Sequence, residues 1–453
     1  MKIHFIGIGG IGISGIASIY KQKGNIVSGS DEEASEITAD LKKQGIGVFI
    51  GHKKTNIGDS PGTVPDLVIY SEAVPKSNIE LKEAKQLKIK CLSGAMALAE
   101  LAKDYFLIAV SGMHGKSTTA SMISQILIKA GLDPTFIIGT KPGWRLGKSK
   151  YLIIEADDYQ AKFLNYRPNI LVLTNIEEEH MDYFQNLNHI MRIFRQYVGQ
   201  VKDCVVANRD DKNVVKVLEN IKYKSKNLNI KKPKTVFYSL RDKDAIKIKK
   251  ILKVPGEHNI SNALAALSVA KILGIKKGVA LKAPSEYRGV WRRFEESELK
   301  IKNLKFKIIS DYAHHPTEIK ATFQALKERY GSPSASLRAN PLGVKRTWVV
   351  FQPHQYQRTF YLFDSFVKTF QQAKNKFGIE KIIITDIYSV KGRESENIKK
   401  KVNSQKLVKA INRDFVEYIE QRKIGDYIKK NASDDMILAI IGAGDIYKLP
   451  NNL

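Results

Sequence analysis

The sequence has little cysteine and no long hydrophobic run, and each shortage excludes a class of protein. Its two cysteines, Cys91 and Cys204, are far apart in a chain of 453 residues. They exclude a disulfide framework and are typical of a reducing compartment, so we expect a cytoplasmic protein. No apolar run approaches the roughly 18 residues that span a bilayer, so we expect no membrane partner. The N-terminal stretch MKIHFIGIGG begins like a signal peptide, but its glycines and strand-like alternation predict a first β-strand instead.

Acidic residues are scarce relative to basic ones. The chain has 46 Asp and Glu against 74 Lys and Arg, which gives a formal net charge of +28. Such an excess fits either a nucleic-acid binder or a basic surface that attracts polyanionic small molecules. The lysine clusters at 223–234 and 396–406 lack interleaved aromatics and match no nucleic-acid-binding module. They favour the second interpretation, and we expect no nucleic-acid partner.

The composition is that of a folded globular protein, with 43% hydrophobic and 26% charged residues. Strand-like and helix-like segments alternate with short loops, which predicts βαβ units and parallel sheets in an α/β fold. The length suits about three domains, and we place their ranges at 1–103, 104–298 and 299–453. A Gly-, Pro- and Ser-rich stretch at 331–343 is predicted to be a surface loop. The predicted strands lie within 2–8, 25–31, 66–74, 105–112, 151–158, 169–177, 306–316, 346–354, 381–389 and 436–445.

A first glycine-rich loop follows the first predicted strand and precedes a helix that we expect to begin near Ser14. In GIGGIGISG the residues Gly7, Gly9 and Gly12 match the dinucleotide-binding fingerprint, in which backbone N–H groups approach a pyrophosphate. Asp31 follows about twenty residues later, where such folds hold a ribose. The loop therefore indicates a bound nucleotide diphosphate, although a tight strand–helix turn would look the same.

A second loop, SGMHGKSTTA, gives the stronger signal. Its Gly-Lys-Ser is typical of a phosphate cradle in which Lys116 reaches the β- and γ-phosphates and Ser117 ligates Mg²⁺. The usual first glycine of that pattern is replaced by Val110, so the loop is a contracted variant.

Polar side chains also follow the next two predicted strands. Glu155, Asp157 and Asp158 end one of them, and Asn175 and His180 follow the other. Ligands of α/β folds bind outside the carboxyl ends of strands, so we expect a metal–nucleotide site at the edge of the sheet where these strands and the second loop end. For His180, a structural role is the alternative to a role as a metal ligand.

In this context the chain resembles the Mur ligases over nearly its whole length. IHFIGIGGIGISGIA and VSGSD resemble the family's UDP-sugar domain, and SGMHGKSTT, EADD, TNIEEEH and PGEHNISNALAA resemble its central ATPase domain. GVWRRFE, DYAHHPTEI, FQPHQYQRT and GAGDI resemble the junction and the C-terminal domain of the family. The resemblance implies a Rossmann-like N-terminal domain, a central P-loop ATPase domain with a mainly parallel sheet, and a Rossmann-like C-terminal domain.

The same resemblance implies a reaction and its sites. ATP would phosphorylate the lactyl carboxylate of UDP-N-acetylmuramate, and the amine of L-alanine would attack the acyl phosphate in cytoplasmic peptidoglycan-precursor synthesis. Two Mg²⁺ ions are implied, and the protein would be a monomer or a homodimer. The UDP-sugar would contact Gly9, Gly10, Ile11, Gly12, Ser30 and Asp31. ATP would contact Gly112, His114, Gly115, Lys116, Ser117, Thr118, Asn259, Asn262 and Arg292.

The remaining roles also come from the resemblance. The implied catalytic residues are Lys116, Glu155, His180, Arg293, Asp311 and His314. The implied metal ligands are Ser117, Glu155 and His180, and the implied amino-acid contacts are His315 and Arg358. Because the two adjacent arginines would point opposite ways on an extended segment, we expect only one to touch phosphate.

The chain departs from the family pattern at several positions. Gln355 stands where an arginine is usual, which removes one partner for the amino acid's carboxylate. In DYAHHPTEI, Ala313 stands where the family usually has a glycine. Lys162 stands where a serine is common, and it is a candidate contact to phosphate or the muramoyl group.

Two other functions remain as alternatives to the L-alanine ligase. A ligase that recycles a murein tripeptide onto the same sugar nucleotide would share both loops. An NAD-dependent dehydrogenase would explain the first loop and Asp31, but it would leave Lys116, Glu155 and His180 unexplained.

Overall fold

Parallel strands alternate with helices along the chain, as the computed structural model describes it. The described residues are 1–58, 62–219, 233–301, 304–331, 346–390, 394–434 and 436–453. Nearly all of the predicted surface loop at 331–343 and of the lysine cluster at 223–234 lies outside them. Among the described residues, no helix is long and apolar enough to cross a bilayer.

The first sheet follows the glycine-rich N-terminus. Its strands are β1 (Lys2–Ile6), β2 (Ile26–Asp31), β3 (Gly47–Ile50), β4 (Leu67–Tyr70) and β5 (Lys90–Ser93). All neighbours are parallel, in the order β3-β2-β1-β4-β5. The order reverses direction at β1, so the first loop leaves the sheet where open α/β folds bind ligands.

The second sheet carries the phosphate-cradle loop. Its strands are β6 (Phe106–Ser111), β7 (Thr135–Ile137), β8 (Trp144–Arg145), β9 (Tyr151–Glu155), β10 (Ile170–Leu173), β11 (Cys204–Asn208) and β12 (Lys234–Tyr238). The order is β12-β11-β10-β6-β9-β7-β8, and the β7–β8 pair is antiparallel. Strands β10 and β9 flank β6 on its two sides, which confirms the predicted convergence of these three strand ends.

The third sheet closes the chain. Its strands are β13 (Glu295–Ile301), β14 (Leu304–Asp311), β15 (Thr347–Phe351), β16 (Lys381–Ile384), β17 (Val416–Tyr418) and β18 (Ile437–Ile441). The order is β13-β14-β18-β15-β16-β17, with the β13–β14 pair antiparallel. Strand β15 is buried over all five residues, because Val349 and Phe351 pack into one apolar layer while Trp348 and Val350 pack into the other. A sheet covered on both faces explains the continuous apolar run in the sequence.

Helices connect the strands. They are α1 (Ile11–Gln22), α2 (Glu36–Lys43), α3 (Ile79–Gln86), α4 (Gly94–Ala102), α5 (Lys116–Lys129), α6 (Leu187–Val198), α7 (Lys212–Glu219), α8 (Lys243–Ile251), α9 (Glu257–Ile272), α10 (Lys277–Glu286), α11 (Pro316–Tyr330), α12 (Tyr356–Tyr361), α13 (Phe363–Gln371), α14 (Ala373–Phe377), α15 (Glu396–Lys401), α16 (Ser404–Ile411) and α17 (Ile424–Asn431). Single turns of 3₁₀ type or short 3₁₀ segments occur at Lys54–Ile57, Tyr159–Asn165, Gln421–Lys423 and Asp445–Asn452. Helix α1 begins at Ile11 and not near Ser14, because the chain turns at Gly7 and enters the helix directly after Gly10.

Together the sheets confirm the predicted three-domain α/β fold with mainly parallel strands. The described residues divide into two compact units. The first unit holds the first two sheets and comprises Met1–Glu177, Asn188–Asp242 and Asn262–Pro284. The second unit holds the third sheet and comprises Glu178–Leu187, Lys243–Ser261 and Ser285–Leu453. Strand β13 runs through the predicted boundary at 298, and the exact domain ranges stay a prediction.

Candidate active site

The phosphate-cradle loop of the first unit surrounds the ammonium group of Lys116. Its Nζ donates to the backbone oxygens of Gly112 (2.6 Å) and Met113 (3.0 Å), and to Oδ1 of Asp158 (2.6 Å). Burial alone would lower the pKa of Lys116, but the carboxylates of Asp158 and Glu155 raise that pKa above its ordinary value. The lysine is therefore held as a cation inside the loop, ready to pair with phosphate.

Ser117 and Glu155, two of the predicted metal ligands, are in direct contact. Ser117 Oγ donates to Glu155 Oε2 at 2.7 Å, and the backbone N–H of Gly139 donates to the same oxygen at 2.9 Å. A hydroxyl and a carboxylate are the hard oxygen ligands that Mg²⁺ prefers, so this pair fits one such ion. The neighbouring Asp157 binds Lys162 Nζ at 2.9 Å, which accounts for that unusual lysine within the site.

The loop is anchored to the residues after β10. The backbone N–H of His114 donates to Asn175 Oδ1 (2.9 Å), and Asn175 Nδ2 donates back to the His114 oxygen (3.0 Å). Thr174 Oγ1 also donates to that oxygen at 2.7 Å. The His114 side chain contacts Glu177. His114 is thus tied down through its backbone as well as its ring.

Gly115 is, like Gly112, a position in this loop where only glycine fits. It precedes α5 with φ of +78°, in the left-handed region, and an added Cβ would lie 2.4 Å from Asn262 Oδ1. The same Asn262 oxygen accepts from Thr119 Oγ1 at 3.1 Å. Thr118 is buried on α5 next to them. Asn262 is one of two asparagines predicted to meet the adenine. The other, Asn259, also lies on α9 and donates to the Pro255 oxygen at 2.7 Å.

Replacing Gly115 with alanine is expected to raise the KM for ATP at least about tenfold, since a clash with a fixed amide would displace the loop. The backbone strain itself costs only about 1–2 kcal/mol. Gly131, at the other end of α5, is a matched control because it has a similar φ of +75° but no atom within 4 Å of an added Cβ. Gly131→Ala should leave the KM for ATP unchanged. Equal KM values in the two alanine variants would contradict the role of the Asn262 contact.

The first glycine-rich loop is tied to the predicted ribose residue. The backbone N–H of Gly9 donates to Asp31 Oδ2 at 2.7 Å, so this carboxylate fixes the loop. Gly10 and Ile11 form the start of α1. A Cβ added at Gly12 would meet open space, whereas a Cβ added at Gly29 on β2 would lie 2.6 Å from the backbone oxygen of Phe5 on β1. The close approach of β2 to β1 therefore depends on Gly29, which is outside the fingerprint.

A buried carboxylate beneath this loop had no signal in the sequence. Glu80 is fully buried, and its oxygens accept from Ser30 Oγ, Asn56 Nδ2 and the backbone N–H of Lys53. His4 Nε2 lies 3.3 Å away. Burial would raise the pKa of Glu80, but these hydrogen bonds lower it below its usual value. Glu80 thereby orients Ser30, one of the predicted UDP-sugar contacts.

In the second unit, the two adjacent arginines lie in a turn in which Arg292 has a φ of +56°, and not on the extended segment that was predicted. Arg292 is 3% exposed, its guanidinium lies over the rings of Tyr312 and Tyr447, and it donates to the Gly442 oxygen. Arg293 is more open and lies 3.6 Å from Glu318. Arg292 is engaged in packing, so its part in ATP binding stays a prediction, and so does the catalytic role of Arg293.

Asp311 and His314 occupy the end of β14 and the loop after it. Asp311 accepts from the backbone N–H groups of Phe294 and Ala313, both at 2.8 Å. Burial raises the pKa of Asp311. His314 Nδ1 lies 3.0 Å from the Tyr312 oxygen, and burial lowers the pKa of His314 to about 3. A neutral His314 therefore donates from Nδ1 and leaves Nε2 as an acceptor.

The predicted amino-acid contacts, Arg358 and His315, both adjoin a residue that the sequence reasoning missed. Glu179 is buried, and its Oε1 accepts from Arg358 Nε (2.9 Å) and Nη2 (2.7 Å). His315 caps helix α11, where Nδ1 accepts from the Thr317 N–H and Nε2 faces the Glu178 oxygen at 3.2 Å. Both ring nitrogens of His315 therefore have internal partners, and its contact to an amino acid stays a prediction.

The predicted site residues are thus gathered in two groups. The first unit brings together the phosphate-cradle loop, Glu155, Asp158 and Asn262. The second unit holds His180, Asn259, both arginines, Asp311, His314, His315 and Arg358. His180 lies directly after Glu179 and donates its backbone N–H to Glu179 Oε1 at 3.2 Å. Its role as a metal ligand stays a prediction.

Comparison with known proteins agrees with this arrangement. Residues 2–106 match the catalytic domain of the Mur ligase family, and residues 110–270 match the Mur ligase middle domain. The chain belongs to the Mur ligase family, whose members are ATP-dependent ligases that form amide bonds.

Relatives of known name match over the full length. The UDP-N-acetylmuramate–L-alanine ligase of Acetivibrio thermocellus is 39% identical, over 99% of this chain and 94% of the relative. That of Aquifex aeolicus is 36% identical, over 99% and 96%. The crystal structure of the UDP-N-acetylmuramate–alanine ligase of Thermotoga maritima has a TM-score of 0.75 and 25% identity, covering 100% of this chain and 97% of its own. A murein peptide ligase of Psychrobacter arcticus has a TM-score of 0.70 at 20% identity, over 100% and 97%, and shares the fold.

Proposed function

We propose that this protein joins L-alanine to the lactyl carboxylate of UDP-N-acetylmuramate at the expense of ATP. The observation that carries the proposal is that two features lie together at the carboxyl ends of β6 and β9. One is the ammonium of Lys116, bound by Asp158, and the other is the hydrogen bond between Ser117 and Glu155. The choice of substrates follows from relatives that carry this activity in their names over the full length.

In the proposed reaction, the γ-phosphoryl group of ATP passes to the lactyl carboxylate, which gives an acyl phosphate and ADP. The amine of L-alanine then attacks the acyl carbon, loses a proton, and displaces phosphate as the amide forms. Lys116 would stabilise the charge on the transferred phosphoryl group. Gly9 and Asp31 would hold the sugar nucleotide at the first loop.

Metal ions complete this proposal. Ser117 and Glu155 would hold one Mg²⁺, and His180 would contribute to a second. Bound Mg²⁺ would screen the repulsion between the incoming carboxylate and the triphosphate. We also propose a cytoplasmic location, the domain ranges given above, and a monomer or homodimer.

A product assay tests the proposal. The purified protein is given ATP, UDP-N-acetylmuramate and either L-alanine or the murein tripeptide, and phosphate and the product mass are measured. We expect phosphate and the alanyl product with L-alanine. Turnover with the tripeptide and none with L-alanine would favour the recycling ligase. A calorimetric signal with NAD, but none with UDP-N-acetylmuramate, would favour a dehydrogenase.

A further inference from the structure

The ion pair between Glu179 and Arg358 has an unusual geometry. Arginine and carboxylate commonly form two parallel hydrogen bonds that use both carboxylate oxygens. Here Nε and Nη2 of Arg358 both donate to Oε1, and the backbone N–H of His180 donates to the same oxygen. Among the residues that the structure describes, Oε2 of Glu179 accepts no hydrogen bond although it is buried.

The neighbouring His315 does not satisfy this oxygen. His315 Nε2 lies 3.9 Å from Glu179 Oε2, beyond hydrogen-bond distance, and faces the Glu178 backbone oxygen instead. The Glu179 carboxylate forms an ion pair with Arg358, whose guanidinium stays charged in proteins, so the carboxylate is held as an anion beside it. A buried, charged oxygen without a donor is costly, and it needs a partner.

The pair lies in the wall of a small cavity. Glu179, Arg358, Gln355, Met181, Asp182 and Tyr361 line it, all from the second unit. Its empty space is about 250 Å³, part of which opens to solvent. The Glu179–Arg358 pair therefore lies next to space that opens to solvent.

We propose that Glu179 binds the ammonium group of the amino-acid substrate, and that the amino acid inserts into the Glu179–Arg358 pair as a zwitterion. This inference rests on the proposed function. The ammonium of the amino acid donates to Glu179 Oε2. Its carboxylate accepts from Arg358 Nε and Nη2, which donate to Glu179 when no amino acid is bound. Arg358 Nη1 stays on the His354 oxygen at 3.1 Å, which keeps the side chain in place during the exchange.

This exchange also explains how the cavity can bind an amino acid with one arginine. Gln355 occupies the position that an arginine usually holds in the family, so among the described residues Arg358 is the arginine that lines the cavity. In the empty site Glu179 neutralises Arg358, so neither charge is left buried alone. The zwitterion brings one charge of each sign and replaces both partners together. A ligand with only one charge would leave the other residue unpaired.

The variant Glu179→Gln tests the inference, since glutamine keeps an oxygen for Arg358 but removes the charge. Phosphate release is measured with varied L-alanine, and L-lactate, which has a hydroxyl in place of the ammonium, is used as a competitive inhibitor. We expect the KM for L-alanine to rise about 10- to 100-fold. The KM values for ATP and UDP-N-acetylmuramate should be unchanged. L-lactate should inhibit at least as strongly as in the wild type, because its carboxylate no longer leaves a charged Glu179 without a partner. Glu179→Asp, which keeps the charge, should recover part of the loss.

Controls separate this role from others. Glu178→Gln makes the same change at the exposed neighbouring residue and should behave as the wild type. Equal weakening of L-alanine and L-lactate would mean that Glu179 only positions Arg358, and would overturn the inference. A shift in the Mg²⁺ requirement with an unchanged KM for L-alanine, or a selective loss in Asp182→Asn instead, would overturn it too. If the wild type releases no phosphate with L-alanine, the proposed function fails and the inference with it.

Discussion

Replacing Lys116 with methionine is expected to reduce ligase turnover by about 10³-fold or more, because the variant loses a preorganised cation at the transferred phosphoryl group. Methionine keeps much of the length of the side chain without its charge. The ammonium is held in place by hydrogen bonds to Gly112, Met113 and Asp158, none of which a thioether can donate. Affinity for UDP-N-acetylmuramate should stay near the wild-type value, since the first loop belongs to a different sheet. Initial rates of phosphate release and calorimetric titration of the sugar nucleotide measure the two quantities.

The matched control is Lys129→Met, at the exposed end of the same helix α5. It removes an equal charge from the same element and should leave turnover within about twofold, as surface substitutions do. A collapse of sugar-nucleotide affinity in Lys116→Met, with the fold intact, would contradict the division of labour between the two loops. Unchanged turnover would contradict the phosphate role of Lys116.

The parts of the fold and site that were predictable from the sequence depend on short-range patterns. The apolar runs that end at Ser111, Glu155 and Leu173 are strands, and they are neighbours in the sheet. Polar residues directly after them therefore had to meet at one edge. The contact between Ser117 and Glu155 is the result. The family resemblance added the roles of these residues, and the full-length relatives support the family.

The remaining features depend on contacts between residues distant in the sequence. Glu80 reaches Ser30 across 50 positions and Glu179 reaches Arg358 across 179, so no local spacing indicates either pair. Arg292 and Arg293 were predicted on an extended segment, but they lie in a turn, and the rings of Tyr312 and Tyr447 enclose Arg292. The predicted start of α1, near Ser14, was wrong by three residues. The extended backbone ends at Gly10, so the helix begins at Ile11.

The second large effect that we expect is on stability. Arg358→Met should destabilise the ligand-free protein by about 3–5 kcal/mol, because it leaves the Glu179 carboxylate buried without its cation. The side chains of this pair are 6% and 5% exposed. The corresponding fall in the melting temperature is roughly 10 °C. Adding Glu179→Met should restore most of the loss, since two apolar side chains of similar volume often replace a buried ion pair at little cost. Thermal unfolding of the wild type, both single variants and the double variant measures the coupling.

The pair of Arg346 and Glu380 in the same unit shows why burial decides the size of this effect. Arg346 Nε donates to both oxygens of Glu380 at 2.9 Å, so its geometry is at least as good as that of the buried pair. Its side chains, however, are 49% and 38% exposed, and water can solvate either charge when the other is removed. Arg346→Met should therefore cost at most about 1 kcal/mol. Equal losses from Arg346→Met and Arg358→Met would mean that Glu179 reaches solvent when its partner is gone. In that case the double variant would recover nothing, because there would be no stranded charge for the second substitution to remove.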